Sequence, residues 1–285
     1  MDPFSYHLSI ERQLSPNTVT SYSAEASSFL ESCGKEPAAC TPEDVAEYLR
    51  KRSADLSKRS QAHVLSALRS YFDFLILEGE RKDNPCDKVD APKLGKYLPE
   101  VLSVEEVTSI IESVPDKTAG DLRDRAILEV LYGCGLRVSE ACGLLISHVY
   151  REEGFVRVVG KGDKERLVPI GTPALDALDA WLEVRPVPAA PEFSDFAFLN
   201  LRGKPLSRVS VFKMVKERAM LAGVRKEISP HTFRHSFATH MVENGADLRV
   251  VQEMLGHESI LTTEIYTHID SQTWQKSILE HHPRR

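Results

Sequence analysis

The sequence lacks the excess of basic residues that usually accompanies a polyanionic partner. Its 285 residues carry 36 Lys and Arg against 42 Asp and Glu, which gives a net charge of −6 at pH 7. The acidic balance extends along the chain, because residues 1–96 carry 13 basic and 15 acidic side chains and residues 97–285 carry 23 and 27. Phosphate binding depends on where the cations lie. A nucleic-acid surface would therefore have to be a local basic patch on an acidic protein.

Long apolar runs are also absent. No stretch approaches the roughly 18 uninterrupted apolar residues that a membrane-spanning helix requires. The N-terminal residues MDPFSYHLSIERQLS lack the basic segment and following apolar run that mark a secretory signal. We therefore expect a cytoplasmic protein that has no membrane partner.

Metal-binding patterns are scarce. The five cysteines are odd in number and none has CxxC spacing, which predicts reduced, packed thiols rather than disulfides or a zinc site. His231 and His235 lie four residues apart, as two zinc ligands on a helix would, but a metalloprotease pattern requires Glu where Thr232 stands. We predict no metal and no other cofactor.

Helical periodicity dominates the first part of the chain, so residues 1–92 are predicted to form a helical bundle. Three helix starts are predicted: two at the capping residues Ser15 and Thr41, and a third near Ser57. Residues 91–100 hold two Pro and one Gly without periodicity, and we place a linker between two domains at 93–101.

Residues 102–285 are predicted to form a second domain of mixed α+β structure. It begins with a capping box formed by Ser103 and Glu106. Three β-rich runs predict a small antiparallel sheet, in which the first two strands form a hairpin with a Gly-rich turn: 155–159, 166–170 and 196–199. Helical patterns surround these runs, so the predicted fold class is mainly α with a small antiparallel sheet in the second domain.

The residues best able to handle a phosphate lie between Ser229 and Tyr266. Ser229 is expected to cap a helix, and His231 and Arg234 then share a face at its N-terminus, where free N–H groups favour an anion. His257 follows the next helical segment. A phenol such as Tyr266 has a pKa of about 10, so it requires a base or cationic neighbours to act as a nucleophile at neutral pH.

Taken singly, the candidate residues are also explained by ordinary structural roles. The interpretations are a half-buried phenol for Tyr266, a turn histidine for His257, a solvated turn lysine for Lys161 and an ion pair with Glu140 for Arg137. Only their joint occurrence favours a catalytic site.

Five motifs in order resemble the tyrosine recombinase/integrase family, and most closely its Xer recombinases of bacterial chromosomes. They are GLRVSE around Arg137, GKGDKERLVP around Lys161, HTFRH from His231, LGH at His257 and TTEIYTH around Tyr266. SPNTVTSY and LSALRSYFDFLILEGE resemble the family's core-binding domain. The resemblance implies a SAM-like, DNA-binding core-binding bundle at 1–92 and a catalytic domain at 102–285. His148 departs from the family, whose members usually have Asp there.

The resemblance also implies a catalytic set. The set consists of Arg137, Lys161, His231, Arg234, His257 and Tyr266. Tyr266 would attack a DNA phosphodiester to give a 3′-phosphotyrosyl link, while the two arginines hold the non-bridging oxygens. Lys161 would protonate the departing 5′-oxygen, His231 would assist proton transfer at the nucleophile, and His257 would donate a hydrogen bond to the phosphate. Neither metal nor ATP is required.

The implied partners are double-stranded DNA and further recombinase subunits. A homo- or hetero-tetramer with a paralogous recombinase would act on two duplexes. A C-terminal helix at about 271–281 would dock on a neighbouring subunit, or pack on its own domain, through Trp274, Ile278 and Leu279. The expected task is resolution of chromosome dimers at a dif-like site. A mobile-element integrase or transposase, a catalytically silent DNA-binding regulator, and a requirement for a cell-division DNA translocase all remain open.

Overall fold

The computed structural model divides into two compact units, Met1–Leu98 and Pro99–Arg285, each with its own hydrophobic core. It describes residues 2–92, 100–160, 164–256 and 280–284. The predicted linker, residues 93–101, lies largely outside the described residues.

The first unit is a helical bundle. Its α-helices are α1 (Pro3–Tyr6), α2 (Pro16–Cys33), α3 (Pro42–Arg52) and α4 (Lys58–Leu77). The predicted caps Ser15 and Thr41 and the helix start predicted near Ser57 are confirmed, because these three side chains each accept a hydrogen bond from a backbone N–H in the first turn. Helix α1 and the π-helical turn His7–Glu11 were not predicted. Apolar side chains hold the bundle together, with Phe29 and Phe72 in edge-to-face contact at its centre.

The second unit is helical apart from one small sheet. Its elements are α5 (Val104–Glu112), α6 (Ala119–Gly133), α7 (Val138–Cys142), β1 (Val149–Tyr150), β2 (Phe155–Val159), β3 (Glu165–Pro169), α8 (Thr172–Val184), α9 (Arg208–Leu221), α10 (Pro230–Glu243) and α11 (Leu248–Leu255). The predicted capping box at Ser103 and the predicted cap at Ser229 are both present. The mainly α fold with a small antiparallel sheet is confirmed.

The sheet has the strand order β1-β2-β3 and is antiparallel throughout. The hairpin between β2 and β3 is confirmed, but the prediction of a third strand at 196–199 is wrong. That run forms only isolated bridges at its two ends. It is apolar because it lies in the core, where Ala197 receives a hydrogen bond from Trp181 Nε1 at 2.9 Å. Strand β1, which precedes β2 by a short turn, takes the place at the edge of the sheet.

The turn between α6 and α7 brings distant segments together. Gly135 has a positive φ of 58°, and a Cβ built on it would lie 2.5 Å from Phe237 Cδ1 of α10. Only glycine allows both this backbone conformation and this close approach. The turn therefore fixes where α7 begins relative to α10. Within the described ranges, no helix has the length and apolar character needed to cross a membrane.

Candidate active site

Glu140 lies at the centre of a cluster of three arginines in the second unit. Its side chain is 1% exposed, and its carboxylate accepts hydrogen bonds from Nη1 and from the backbone N–H of Arg137, both at 2.8 Å. Arg137 is the residue that precedes α7, so the short helix places the two side chains on one face. The predicted ion pair between them is therefore present, and it is part of a larger arrangement.

Arg166 is the second arginine of the cluster. It lies on β3 with a side chain only 5% exposed. Its Nη1 and Nη2 donate to the two oxygens of Glu140 at 2.8 and 2.9 Å, a bidentate geometry that suits guanidinium and carboxylate. Its Nε donates to the carbonyl oxygen of Met254 at 2.8 Å.

Arg234 is the third arginine and lies in the second turn of α10. Its Nη1 donates to the carbonyl oxygen of Gly135 at 2.7 Å and lies 3.9 Å from Glu140 Oε2. Its Nη2 donates to the carbonyl oxygen of Leu255. Arg234 thus connects α10 both to the turn before α7 and to the end of α11.

The carboxyl end of α11 is held by all three arginines. The carbonyl oxygens of Met254–Gly256 accept hydrogen bonds from Arg166, Arg234 and Arg137 respectively, the last at 2.9 Å. Carbonyls at this end of a helix have no partner within the helix and carry partial negative charge. Cations therefore stabilise the point from which the chain continues to residue 257.

The charges of the cluster shift the pKa values of its members. Burial would raise the pKa of Glu140, but the hydrogen bonds and charge of Arg166 and Arg137 outweigh it, and the pKa lies below its ordinary value. Burial and the neighbouring charge of Arg137 lower the pKa of Arg234 to about 9, against the opposing effect of Glu140. Both groups are therefore ionised at neutral pH, and the cluster carries a net positive charge.

His231 lies at the start of α10, one turn before Arg234, and its side chain is exposed. Partial desolvation and the charges of Arg234 and Arg137 lower the pKa of its imidazole. His231 also lines a surface groove of about 510 Å³, whose other lining residues include Val138, Arg208, Lys213 and Lys216. The groove is a local basic surface on an acidic protein.

Three of the six predicted catalytic residues therefore lie together: Arg137, His231 and Arg234. The other three, Lys161, His257 and Tyr266, lie outside the described residues. The residues that precede two of them are described. A Cβ built on Gly160 would lie 3.7 Å from Glu140 Oε1, and one built on Gly256 would lie 3.2 Å from Arg166 Cδ. Both segments therefore reach the arginine cluster immediately before Lys161 and His257.

Sequence reasoning missed Arg166 and gave Glu140 only a structural role. A signal for Arg166 existed in the strand pattern. Side chains two apart on a strand face the same way, so Arg166 shares a face with the buried Val168, while Leu167 is exposed. An arginine on the buried face of a strand indicates a buried partner of opposite charge.

Metal ligands and thiols add nothing to this site. Among the residues that the structure describes, no group of three His, Cys, Asp or Glu side chains could hold a metal ion. All five cysteines are free thiols, and four of them are buried.

The cationic side chains of Arg137 and Arg234 and the imidazole of His231, which lines the basic groove, define a site suited to a phosphate group. Comparisons with known proteins name the family. Residues 100–273 match the Phage integrase family, and residues 1–79 match the Phage integrase, N-terminal SAM-like domain. The chain therefore belongs to the phage integrase family and is a tyrosine recombinase of the Xer type, an enzyme of DNA strand breakage and rejoining.

Relatives of known sequence cover the whole chain. It is 44% identical over 293 residues to the tyrosine recombinase XerD of Chlorobaculum tepidum, covering 100% of this chain and 96% of the relative. It is 38% identical over 292 residues to the XerD of Listeria innocua, covering 100% and 98%.

Solved structures agree in fold. The XerA recombinase is 31% identical with a TM-score of 0.53, covering 99% of this chain and 97% of that one. The XerH site-specific recombinase bound to palindromic difH substrate, in a post-cleavage complex, is 27% identical with a TM-score of 0.72, covering 93% and 80%.

Proposed function

We propose that the protein recombines DNA at a specific site through a covalent 3′-phosphotyrosyl intermediate formed by Tyr266. One observation carries the proposal above the others. The arginine cluster binds the three carbonyls that directly precede His257, so the described segment 164–256 ends beside the cations that would hold the phosphate, immediately before the segment that contains His257 and Tyr266.

Arg137 and Arg234 would stabilise the transition state. Negative charge gathers on the non-bridging oxygens as the phosphoryl group is transferred, and fixed cations lower the energy of that state most effectively in a partly buried site. A guanidinium has five N–H donors. Two of those of Arg137 bond to Glu140 and Gly256, and the side chain stays 33% exposed, so it can also meet a bound anion.

His231 would accept the proton of the attacking phenol. A base must be neutral before it can take a proton, and desolvation together with Arg234 and Arg137 keeps the pKa of His231 low. Its exposed position beside the groove allows contact with a bound strand.

Lys161 and His257 complete the proposed set. Lys161 would act as general acid for the 5′-oxygen, and His257 would donate a hydrogen bond to the phosphate. The contacts of Gly160 and Gly256 with the cluster support these roles, because they bring the preceding backbone of each segment to the same place. The leaving 5′-hydroxyl and the phosphotyrosyl ester conserve the energy of the bond, so the cycle requires neither ATP nor a metal.

The groove beside His231 would receive the DNA backbone. Arg208, Lys213 and Lys216 line it, and α9 presents all three on one side. These clustered cations would allow DNA binding although the net charge of the protein is negative, because phosphate contacts depend on local cations. We assign residues 1–92 to core binding of DNA, residues 93–101 to the linker and residues 102–285 to catalysis.

The proposed biological task is resolution of chromosome dimers at a dif-like site. The curated relatives are named XerD, and the solved XerH is bound to a difH substrate. A homo- or hetero-tetramer on two duplexes is part of this proposal, and a DNA translocase is its further candidate partner. The chromosomal location of the DNA site would distinguish this task from integration of a mobile element.

The experiment is covalent trapping on fragments of the source chromosome, followed by sequencing of the trapped DNA. We expect one dominant site that wild-type protein links covalently and that Tyr266→Phe binds without forming an adduct. A site within a mobile element would replace dimer resolution by integration. If wild-type protein binds the site and never forms an adduct, the protein is a regulator and the enzymatic proposal is wrong.

A further inference from the structure

Arg166 contacts two segments that each lie next to a predicted catalytic residue in the sequence. Its guanidinium binds Glu140, three residues after Arg137, through two hydrogen bonds of 2.8 and 2.9 Å. Its Nε donates to the carbonyl of Met254, three residues before His257, at 2.8 Å. One buried side chain therefore connects the start of α7 with the end of α11.

Two glycines bring further backbone against the same guanidinium. A Cβ built on Gly160, the residue before Lys161, would lie 3.6 Å from Arg166 Nη1. A Cβ built on Gly256, the residue before His257, would lie 3.2 Å from Arg166 Nε. The backbone at Gly160 and the backbone at Gly256 therefore both pack against Arg166.

The charges of the cluster suggest why an arginine stands at this position. Glu140 is a buried anion that accepts two hydrogen bonds from Arg166 and two from Arg137. Without Arg166, the carboxylate would be balanced by Arg137 and Arg234 alone. Glu140 would then cancel more of the positive potential of these two cations at a bound phosphate. Arg166 is itself too deeply buried to meet DNA, so its charge acts on Glu140.

Stability of the fold is a weaker explanation. Replacing a buried ion pair by apolar side chains of similar volume is often neutral or stabilising. A purely structural role therefore does not require a charged pair in this position.

We propose that Arg166 is a positioning residue, which offsets the negative potential of Glu140 at the scissile phosphate and fixes the carboxyl end of α11 beside Arg137 and Arg234. The inference rests on the proposed function and adds a residue that the predicted catalytic set lacks. Its distinctive consequence is electrostatic: the loss of Arg166 should matter most for a substrate whose phosphate is charged.

The test compares two nicked duplexes carrying the trapped site, one with an ordinary scissile phosphate and one with a methylphosphonate. The methyl group replaces a non-bridging oxygen and removes its negative charge. Single-turnover strand cleavage is measured for wild type, Arg166→Gln and Arg166→Lys. Arg218→Gln is the matched control, because Arg218 is 15% exposed and pairs with Asp124 and Asp121 away from the cluster.

We expect Arg166→Gln to lower cleavage of the phosphate substrate by about 10- to 100-fold. That is the range found when residues that orient the side chains binding a metal ion are replaced. Its defect on the methylphosphonate should be several-fold smaller. Arg166→Lys retains the charge, so its ratio of the two rates should stay near that of wild type. Arg218→Gln should leave the ratio unchanged.

Equal defects of Arg166→Gln on both substrates, or no defect, would overturn the proposal. If that variant does not fold, Glu140→Gln tests the same point with the opposite sign. A neutral residue there leaves the cluster more cationic, so the methylphosphonate should be disfavoured more strongly than in wild type, and an unchanged ratio contradicts the proposal. A wild-type protein that cleaves neither duplex would instead refute the proposed function, and the inference would fall with it.

Discussion

The two units of the protein treat charge in different ways. In the first unit, the buried polar residues of the described part are Ser5, His7 and Asn84, and no ion pair there has both of its side chains buried. The side chain of Arg81 is 7% exposed, but its acidic partner Asp83 is 69% exposed. The ion pairs of this unit lie nearer to solvent, as between Arg52 and Glu25, which are 31% and 21% exposed. Among the described residues of the second unit, five charged residues are buried: Asp124, Glu129, Glu140, Arg166 and Arg234.

The difference separates a unit without a predicted catalytic residue from the unit that carries the candidate site. Burying a charge costs several kcal/mol unless it is paired and hydrogen-bonded, and the described residues of the first unit include no ion pair with both side chains buried. Three of the five buried charges of the second unit meet in one cluster, beside the groove and at the end of α11. Perturbed charged groups that gather in this way favour a functional site.

The largest effect should come from removing the shared carboxylate. Glu140→Ala leaves buried arginines without their partner and should lower the free energy of unfolding by about 3–5 kcal/mol. Glu25→Ala in the first unit should lower it by about 1 kcal/mol or less, because that pair is partly solvated. Urea denaturation followed by far-ultraviolet circular dichroism measures both. Equal losses would erase the contrast between the units.

Arg234→Gln should chiefly affect cleavage. The loss of one fixed cation at a developing oxyanion lowers rates by about 100- to 1000-fold, while binding through the groove residues Arg208, Lys213 and Lys216 should persist. Cleavage is measured by adduct formation, and binding is measured by fluorescence anisotropy with the trapped duplex. A parallel loss of binding and cleavage would show that Arg234 serves only to hold the fold.

Acid should destabilise the second unit through His282. Burial lowers the pKa of His282 to about 4, against hydrogen bonds that raise it, and its neighbours include Tyr132, His240 and Arg284. The unfolded chain binds a proton near pH 6.5, so this contribution is complete above that pH and is lost as the pH falls towards 4. The full change is about 3 kcal/mol. His282→Asn should flatten the stability curve in this window, and an unchanged curve contradicts the assignment.

The smallest effect concerns the pH dependence of cleavage. Because the pKa of His231 is lowered, the base stays neutral to below pH 6.5, and the acidic limb of the rate profile should lie below that value. His231→Gln should slow cleavage and remove this limb, whereas His235→Gln, on the same helix, should retain it. A limb that survives in His231→Gln identifies another base.

Local signals were sufficient for much of the fold. The caps at Ser15, Thr41 and Ser229 and the hairpin of β2 and β3 depend on neighbouring residues, and the structure confirms them. The run at 196–199 was misread because a short apolar segment in the core resembles a strand. Strand β1 has only two residues and gives no periodic pattern.

The site was predictable as a set of residues and only partly as an arrangement. Resemblance to the family identified Arg137 and Arg234, and the structure places both against the end of α11. Arg166 escaped because its decisive partner, the carbonyl of Met254, lies 88 residues further along the chain. No spacing rule reports a side chain that bonds to a distant backbone carbonyl.

Identifying the amino acid that becomes joined to DNA tests the proposed nucleophile most directly. The trapped adduct is digested with nuclease and trypsin, and the peptide that carries nucleotide is sequenced by mass spectrometry. Cleavage after Arg249 and Lys276 yields a peptide with Tyr266 as its single tyrosine. We expect nucleotide on Tyr266, joined through a 3′-phosphate. Nucleotide on any other residue, or a 5′-phosphate linkage, would contradict the proposal.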